Sequence, residues 1–215
     1  MATINSLADL IEQTLIKYSD KPAFHCLGQT LTFAEIERQS YVLAVWLQQR
    51  SGLQTGDRIA IQLPNLIQYP IAAYAALRAG LVLVNTNPLY TTREMQHQFK
   101  DSGAKAIIIL ADLYPKLAEI QSQTDIQQVI LTQATDLLPS AQKTPTPEGT
   151  HQLLDILNAG SNTLLAPRTN QSLDNVCVLQ YTGGTTGVSK GAMLTNANII
   201  SNAEQTSPRL GFDPE

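Results

Sequence analysis

Residues 178–194 read VLQYTGGTTGVSKGAML. Between two apolar runs this segment sets hydroxyls at Thr182, Thr185, Thr186 and Ser189 and an ammonium at Lys190. Gly183, Gly184 and Gly187 add backbone freedom, which lets successive N–H groups wrap an anion while hydroxyls and a cation supply further donors. Phosphate is the anion such a loop suits. The segment is not a Walker A loop, which needs Gly-x-x-x-x-Gly-Lys-Ser/Thr, because Gly191 follows Lys190. It is not Gly-x-Gly-x-x-Gly either. GVSKG (187–191) does match Gly-x-Ser-x-Gly, the elbow that exposes a hydrolase serine between strand and helix, and so makes Ser189 a candidate nucleophile. Against that reading, no His lies beyond Ser189 and four loop residues separate the strand from the elbow. A surface hairpin with no ligand is the third reading.

The elements that must hold this loop follow from periodicity and caps. Leu7, Leu10, Ile11, Leu15 and Tyr18 recur at helical spacing behind the capping candidates Asn5 and Ser6. AFHCL and TLTF around Gly28-Gln29 read as a hairpin. Thr32 and Glu35 form a capping box for a helix toward Arg50, with Ile36, Leu43 and Leu47 on its apolar side. From residue 58 the pattern alternates. RIAIQL, LVLVN, KAIIIL and QQVILT are apolar strands. Between them lie an Ala-rich helix ending near Gly80, a helix capped by Thr91 and Glu94 that stops at Gly103, and a helix over DLYPKLAEIQSQ. Strands this apolar predict an α/β fold, a mostly parallel sheet flanked by helices on both faces. HQLLDILNAG reads as a short helix, VCVLQYT and GAMLT as strands, and Thr195 or Asn196 as the cap of a last helix through Ile199 and Ile200.

Composition narrows the function. With 215 residues, a net charge of −4 and scattered Lys and Arg, the chain shows no basic stripe for nucleic acid. Cys26 and Cys177 sit in apolar runs and read as buried hydrophobes in a reducing compartment. His25, His97 and His151 are far apart, without metal-ligand spacing, and read as structural or surface residues. The N-terminus lacks the basic region of a secretory signal, and PIAAYAALRAGLVLV is broken by Arg78 and too short to span a bilayer. A cytoplasmic location is the expectation.

YTGGTTGVSKGAMLT resembles the phosphate-loop signature of the adenylate-forming (AMP-binding) superfamily, which includes acyl-CoA synthetases and luciferases. Its Gly-Thr-Thr-Gly-x-x-Lys-Gly core is met by Gly184 to Gly191. The likeness extends from LTFAEIERQ to NPLYTTREM, and LQYTGGTTG and NPLYTTREM are most similar to bacterial long-chain fatty acid–CoA ligases. It implies the N-terminal part of such an enzyme's large domain. Residues 1–132 would form a first α/β subdomain, 133–171 a loop-rich connector, and 172–215 the strand, phosphate loop and following helix.

The implied activity is ATP-dependent, AMP-forming activation of a fatty acid and its transfer to CoA. Lys190, Thr185 and Thr186 are the implied catalytic residues. The nucleotide contacts would come from Tyr181, Thr182, Gly183, Gly184, Thr185, Thr186, Gly187, Val188, Ser189, Lys190, Gly191 and Ala192, with Thr182 helping to place Mg²⁺. Ser189 stands where the family often has Pro or Ala, and Asn196 where many members have His. The family's Tyr-Gly-x-Thr-Glu segment, ribose-binding Asp and adenylation Lys would lie beyond residue 215, so the isolated chain is expected to be inactive. The alternatives are a non-catalytic nucleotide- or partner-binding remnant and a hydrolase using Ser189. A homodimer and peripheral contact with the inner face of the membrane are compatible with the resemblance.

Overall fold

The chain enters its first helix, α1 (Leu7–Lys17), through Ser6, whose side chain accepts from the Asp9 N–H. The computed structural model describes residues 3–139, 141, 144–168, 171–182, 189–207 and 209. Strands β1 (Pro22–Cys26) and β2 (Gln29–Thr32) form the expected antiparallel hairpin. Cys26 pairs with Gln29, so the turn is Leu27-Gly28, one residue earlier than composition suggested. Both turn residues have positive φ, 51° and 79°, as a two-residue turn matching the twist of its strands requires. Helix α2 (Phe33–Gln49) carries the full capping box: Thr32 Oγ1 accepts from the Glu35 N–H, and the Glu35 carboxylate accepts from the Thr32 N–H at 2.7 Å. Ile36, Leu43 and Leu47 are completely buried.

Next come β3 (Arg58–Gln62), α3 (Gln68–Arg78), β4 (Val82–Asn85), α4 (Thr92–Ser102), β5 (Ala104–Leu110), α5 (Tyr114–Ile120) and β6 (Gln128–Thr132). They are followed by β7 (His151–Gln152), α6 (Leu153–Ala159), β8 (Val176–Thr182), β9 (Lys190–Thr195) and α7 (Asn196–Thr206). The stretch expected as one helix over DLYPKLAEIQSQ is α5 between two 3₁₀ turns, with Pro115 in its first turn, where a missing N–H costs nothing. His151 and Gln152, expected to open a helix, add a short strand to the sheet instead.

One seven-stranded sheet has the order β7-β6-β5-β3-β4-β8-β9, parallel throughout except for the antiparallel pair β8–β9. Alternate residues serve its two faces. Ile59, Ile61, Leu83, Ile108 and Ile130 pack into the core shared with α1, α2, α3 and α6. Ala60, Val84, Ile107, Ile109, Val129 and Leu131 pack into the core under α4 and α5. Both faces being covered explains why these strands are apolar throughout. On the first face Arg78, nearly buried, reaches Glu12 at 3.1 Å and Glu37 at 2.9 Å and also donates to Ser40 Oγ. Glu12 is shared with Arg168, which also holds Asp9 at 2.7 Å, so one charge network joins α1, α2, α3 and the segment before residue 169. Cys177 is buried as expected, but Cys26 is only half buried, its thiol against the Asn65 carbonyl at 3.6 Å, and both are free thiols. Among the described residues no helix is long and apolar enough to cross a membrane.

Candidate functional site

The described ends of the signature segment form the stem of a hairpin. In the β8–β9 ladder Gln180 pairs with Ala192, Tyr181 with Gly191, and Thr182 with Lys190. Directly opposed residues of an antiparallel pair put their side chains on the same face, so Thr182 and Lys190 leave the end of the described stem on one face. Both are exposed. Gly183, Gly184, Thr185, Thr186, Gly187 and Val188 lie outside the described residues. Ser189 Oγ donates to the Thr182 carbonyl at 3.0 Å, which links the two strands of the stem.

The stem is held from the side by α4. His97 Nε2 donates to the Ser189 carbonyl at 2.9 Å, and the Tyr181 hydroxyl donates to Asp101 Oδ2 at 2.5 Å. Burial, then the Asp101 carboxylate, push the Tyr181 phenol well above its usual pKa, so it remains a protonated donor. The ring of Tyr181 covers Gly191: a Cβ there would come within 2.9 Å of two ring carbons. On the other face of β8, Asn85 Nδ2 donates to Gln180 Oε1 at 2.8 Å and Tyr69 donates to Asn85 Oδ1 at 2.7 Å. Gln98 of α4 donates to the Asn85 carbonyl at 2.8 Å.

This cluster sits at the carboxyl ends of β4 and β8. From β4 the chain crosses through α4 to β5 on the far side of β3, whereas β8 continues outward to β9. Divergence of two neighbouring connections opens the crevice in which open α/β sheets bind ligands. Clefts of about 380 and 590 Å³ lie elsewhere. The first is at the amino ends of β4 and β8, beside Val82 and Cys177, and the second between α2 and α6. Neither gathers the donors found at the hairpin.

Of the residues singled out from sequence, the fold brings together Tyr181, Thr182, Ser189, Lys190, Gly191 and Ala192. His97, which reads from sequence as a structural or surface residue, and Asp101, which composition and motifs do not single out, are the residues of α4 that reach the stem. Their i,i+4 spacing in QHQFKD, on a helix whose caps were legible, is the signal that places both on one face. Asn196 is not the cap of α7; Thr195 is, and Asn196 is buried, accepting from the Leu7 N–H at 2.9 Å and donating to the Ser172 carbonyl. Ser189 is followed by a strand rather than the helix a nucleophile elbow requires. Among the described residues no cluster of three or more His, Cys, Asp or Glu could hold a metal ion.

A model of the AMP-binding enzyme family matches residues 11–214. The long-chain-fatty-acid–CoA ligase of Escherichia coli O6:H1 is 41% identical over 222 residues, covering 96% of this chain and 39% of that ligase. The Bacillus subtilis ligase of the same name is 35% identical, covering 93% and 38%. Among solved structures, a long-chain-fatty-acid–CoA ligase from Archaeoglobus fulgidus superimposes with a TM-score of 0.80 at 26% identity, over 99% of this chain and 41% of that one. ATP-bound MatB from Rhodopseudomonas palustris superimposes with a TM-score of 0.76 at 25% identity, over 99% and 39%. The chain thus spans about two-fifths of the relatives it matches. Its sheet and helices are those of the N-terminal part of the adenylate-forming fold, and the chain belongs to the AMP-binding enzyme family.

Proposed function

We propose that this chain supplies the phosphate-gripping part of a ligase that activates a fatty acid with ATP and transfers it to CoA. The acid's carboxylate attacks the α-phosphorus, the bond to the β-phosphate breaks, and pyrophosphate leaves. The CoA sulfur then attacks the acyl carbonyl and AMP departs. Negative charge gathers on the leaving pyrophosphate, and fixed donors aimed at that charge lower the barrier.

What supports the reading is the stem of the hairpin. Thr182 and Lys190 form the last described pair of the stem, which brings a hydroxyl-bearing and an ammonium-bearing residue to its end. Lys190 has no ion-pair partner among the described residues, so its charge is available to a phosphate. Thr185 and Thr186 add hydroxyls and, with Lys190, bear on the β- and γ-phosphates. Gly183, Gly184 and Gly187 let the backbone close over them. Mg²⁺ fits this chemistry as the companion of ATP, since it takes substrate phosphates and water together with few protein oxygens. Thr182 is the protein oxygen proposed for it.

The deciding experiment measures binding of labelled ATP, and fatty-acid-dependent ATP–pyrophosphate exchange, by the protein expressed from its full reading frame. Lys190→Ala should weaken ATP binding about tenfold or more, as loss of a charge-assisted phosphate contact implies. Unchanged ATP affinity in both Lys190→Ala and Thr182→Ala would sink the reading.

A further inference from the structure

Strand β9 is one of the two edge strands of the described sheet and, among the described strands, pairs only with β8. The position of the loop between them therefore depends on how the two strand ends are tied to the rest of the molecule. We infer that α4 is that tie, and that His97 and Asp101 are positioning residues for the nucleotide. This rests on the phosphate-binding reading above.

His97 and Asp101 lie one turn apart on α4 and reach opposite sides of the loop. Asp101 accepts from Tyr181, the last buried residue before it, at 2.5 Å. His97 donates to the carbonyl of Ser189, the first described residue after it, at 2.9 Å. The imidazole Nε2 must carry its proton to do so, because a carbonyl can only accept. A pair of bonds from one helix thus ties both described ends of the hairpin stem, Tyr181 and Ser189, to α4.

The helix making these bonds is itself immobilised. Thr91 and Glu94 close a capping box at its start, and Gly103, at φ 60°, ends it in a left-handed turn that leads directly into β5. Met95 and Phe99, completely buried, lie on the neighbouring turns between His97 and Asp101 and the core. Gln98 is buried too and bonds the Asn85 carbonyl, and Asn85 in turn bonds Gln180 of β8. Every bond in this chain leads to the strand that feeds the loop. A displacement of about 1 Å is enough to undo alignment of donors with a reacting group, so a strut of this kind bears on the affinity for ATP without touching it.

The test uses His97→Ala, His97→Gln, Asp101→Ala and Asp101→Asn in the protein from its full reading frame. Gln keeps an N–H donor and Asn keeps an acceptor. Hydrogen exchange of the amides of residues 183–191 is measured without nucleotide, and KM for MgATP, KM for fatty acid and kcat are measured in ATP–pyrophosphate exchange. Each alanine variant should speed exchange in that stretch and raise KM for MgATP about fivefold, the factor that one lost hydrogen bond carries. KM for fatty acid should stay near wild type, the urea midpoint should fall only by the modest amount one lost hydrogen bond costs, and Gln and Asn should recover most of both losses. Unchanged exchange and unchanged KM in both alanine variants would overturn the inference, as would a loss that follows the urea midpoint alone. The exchange measurement needs no ATP, so it judges the strut even where Lys190→Ala has decided against phosphate binding.

Discussion

Gly191 lies directly under the ring of Tyr181, so close that an added methyl group would sit 2.9 Å from two ring carbons and 3.3 Å from the hydroxyl. The ring cannot give way easily, because its hydroxyl is bound to Asp101 and its face is buried against α4. Gly191→Ala should therefore destabilise the protein by about 1–3 kcal/mol, the usual cost of overpacking, measured by urea unfolding. Combining it with Tyr181→Leu should recover part of that cost, because the clash needs both groups. Strictly additive effects would show that the ring is not what excludes a side chain at 191.

The second prediction concerns Arg78, which sits in a helix yet is as buried as the leucines around it. Its guanidinium joins Glu12, Glu37, the Glu37 carbonyl and Ser40. Removing Arg78 takes the partner from Glu37 and from the Ser40 hydroxyl while Glu12 keeps Arg168, a loss of about 1–3 kcal/mol. Arg78→Met should lower the urea midpoint accordingly. Lys105→Met should cost under about 1 kcal/mol, since its pair with Asp57 is exposed on the lysine side. A loss in Arg78→Met no larger than in Lys105→Met would mean that the network is dispensable.

Tyr181 sets the pH behaviour at the alkaline end. Burial, followed by its bond to Asp101, raises its folded-state pKa above the ordinary value of 10.0. Above pH 10 the unfolded chain releases this proton while the folded chain keeps it, so unfolding is favoured progressively as pH rises. The contribution is fully present below pH 10 and is lost as pH climbs toward the folded value. Tyr181→Phe should flatten the stability profile above pH 10 without abolishing it, because burial also raises Tyr69 and Tyr74. An unaltered slope between pH 10 and 11 in the Phe variant would contradict the assignment.

Much of this architecture is legible in local signals, and the exceptions have physical reasons. Thr32–Glu35 and Thr91–Glu94 announce their helices because a capping box is a contact within four residues. The apolar strands announce a sheet covered on both faces. The hairpin turn falls one residue earlier than composition suggests, because Leu27 adopts positive φ along with Gly28 and only the cross-strand register reveals this. Asn196 has good capping chemistry, but its partners, Leu7 and Ser172, are 189 and 24 residues away. His97 and Asp101 escaped for the same reason: their partners, Ser189 and Tyr181, are 92 and 80 residues distant. The loop was visible as composition; what holds its ends was not, because that depends on β4, α4 and β8 converging.

Ser189 separates the two chemistries that its surrounding sequence allows. A serine nucleophile needs an imidazole nitrogen able to accept the Oγ proton within about 2.6–3.2 Å. Here the Oγ proton goes to the Thr182 carbonyl, and the nearby His97 nitrogen is itself a donor, aimed at the Ser189 carbonyl instead. Chain direction disagrees as well, since β9 follows where an elbow would turn into a helix. The hydroxyl is thus a clasp across the base of the loop, worth about 1 kcal/mol as a single hydrogen bond. Ser189→Ala should weaken ATP binding about fivefold, less than Lys190→Ala, which removes a charge. The wild-type protein should release no nitrophenol from a short-chain nitrophenyl ester above the buffer rate. Ester hydrolysis that disappears in Ser189→Ala, with ATP affinity untouched by either substitution, would restore the serine to a nucleophile's role.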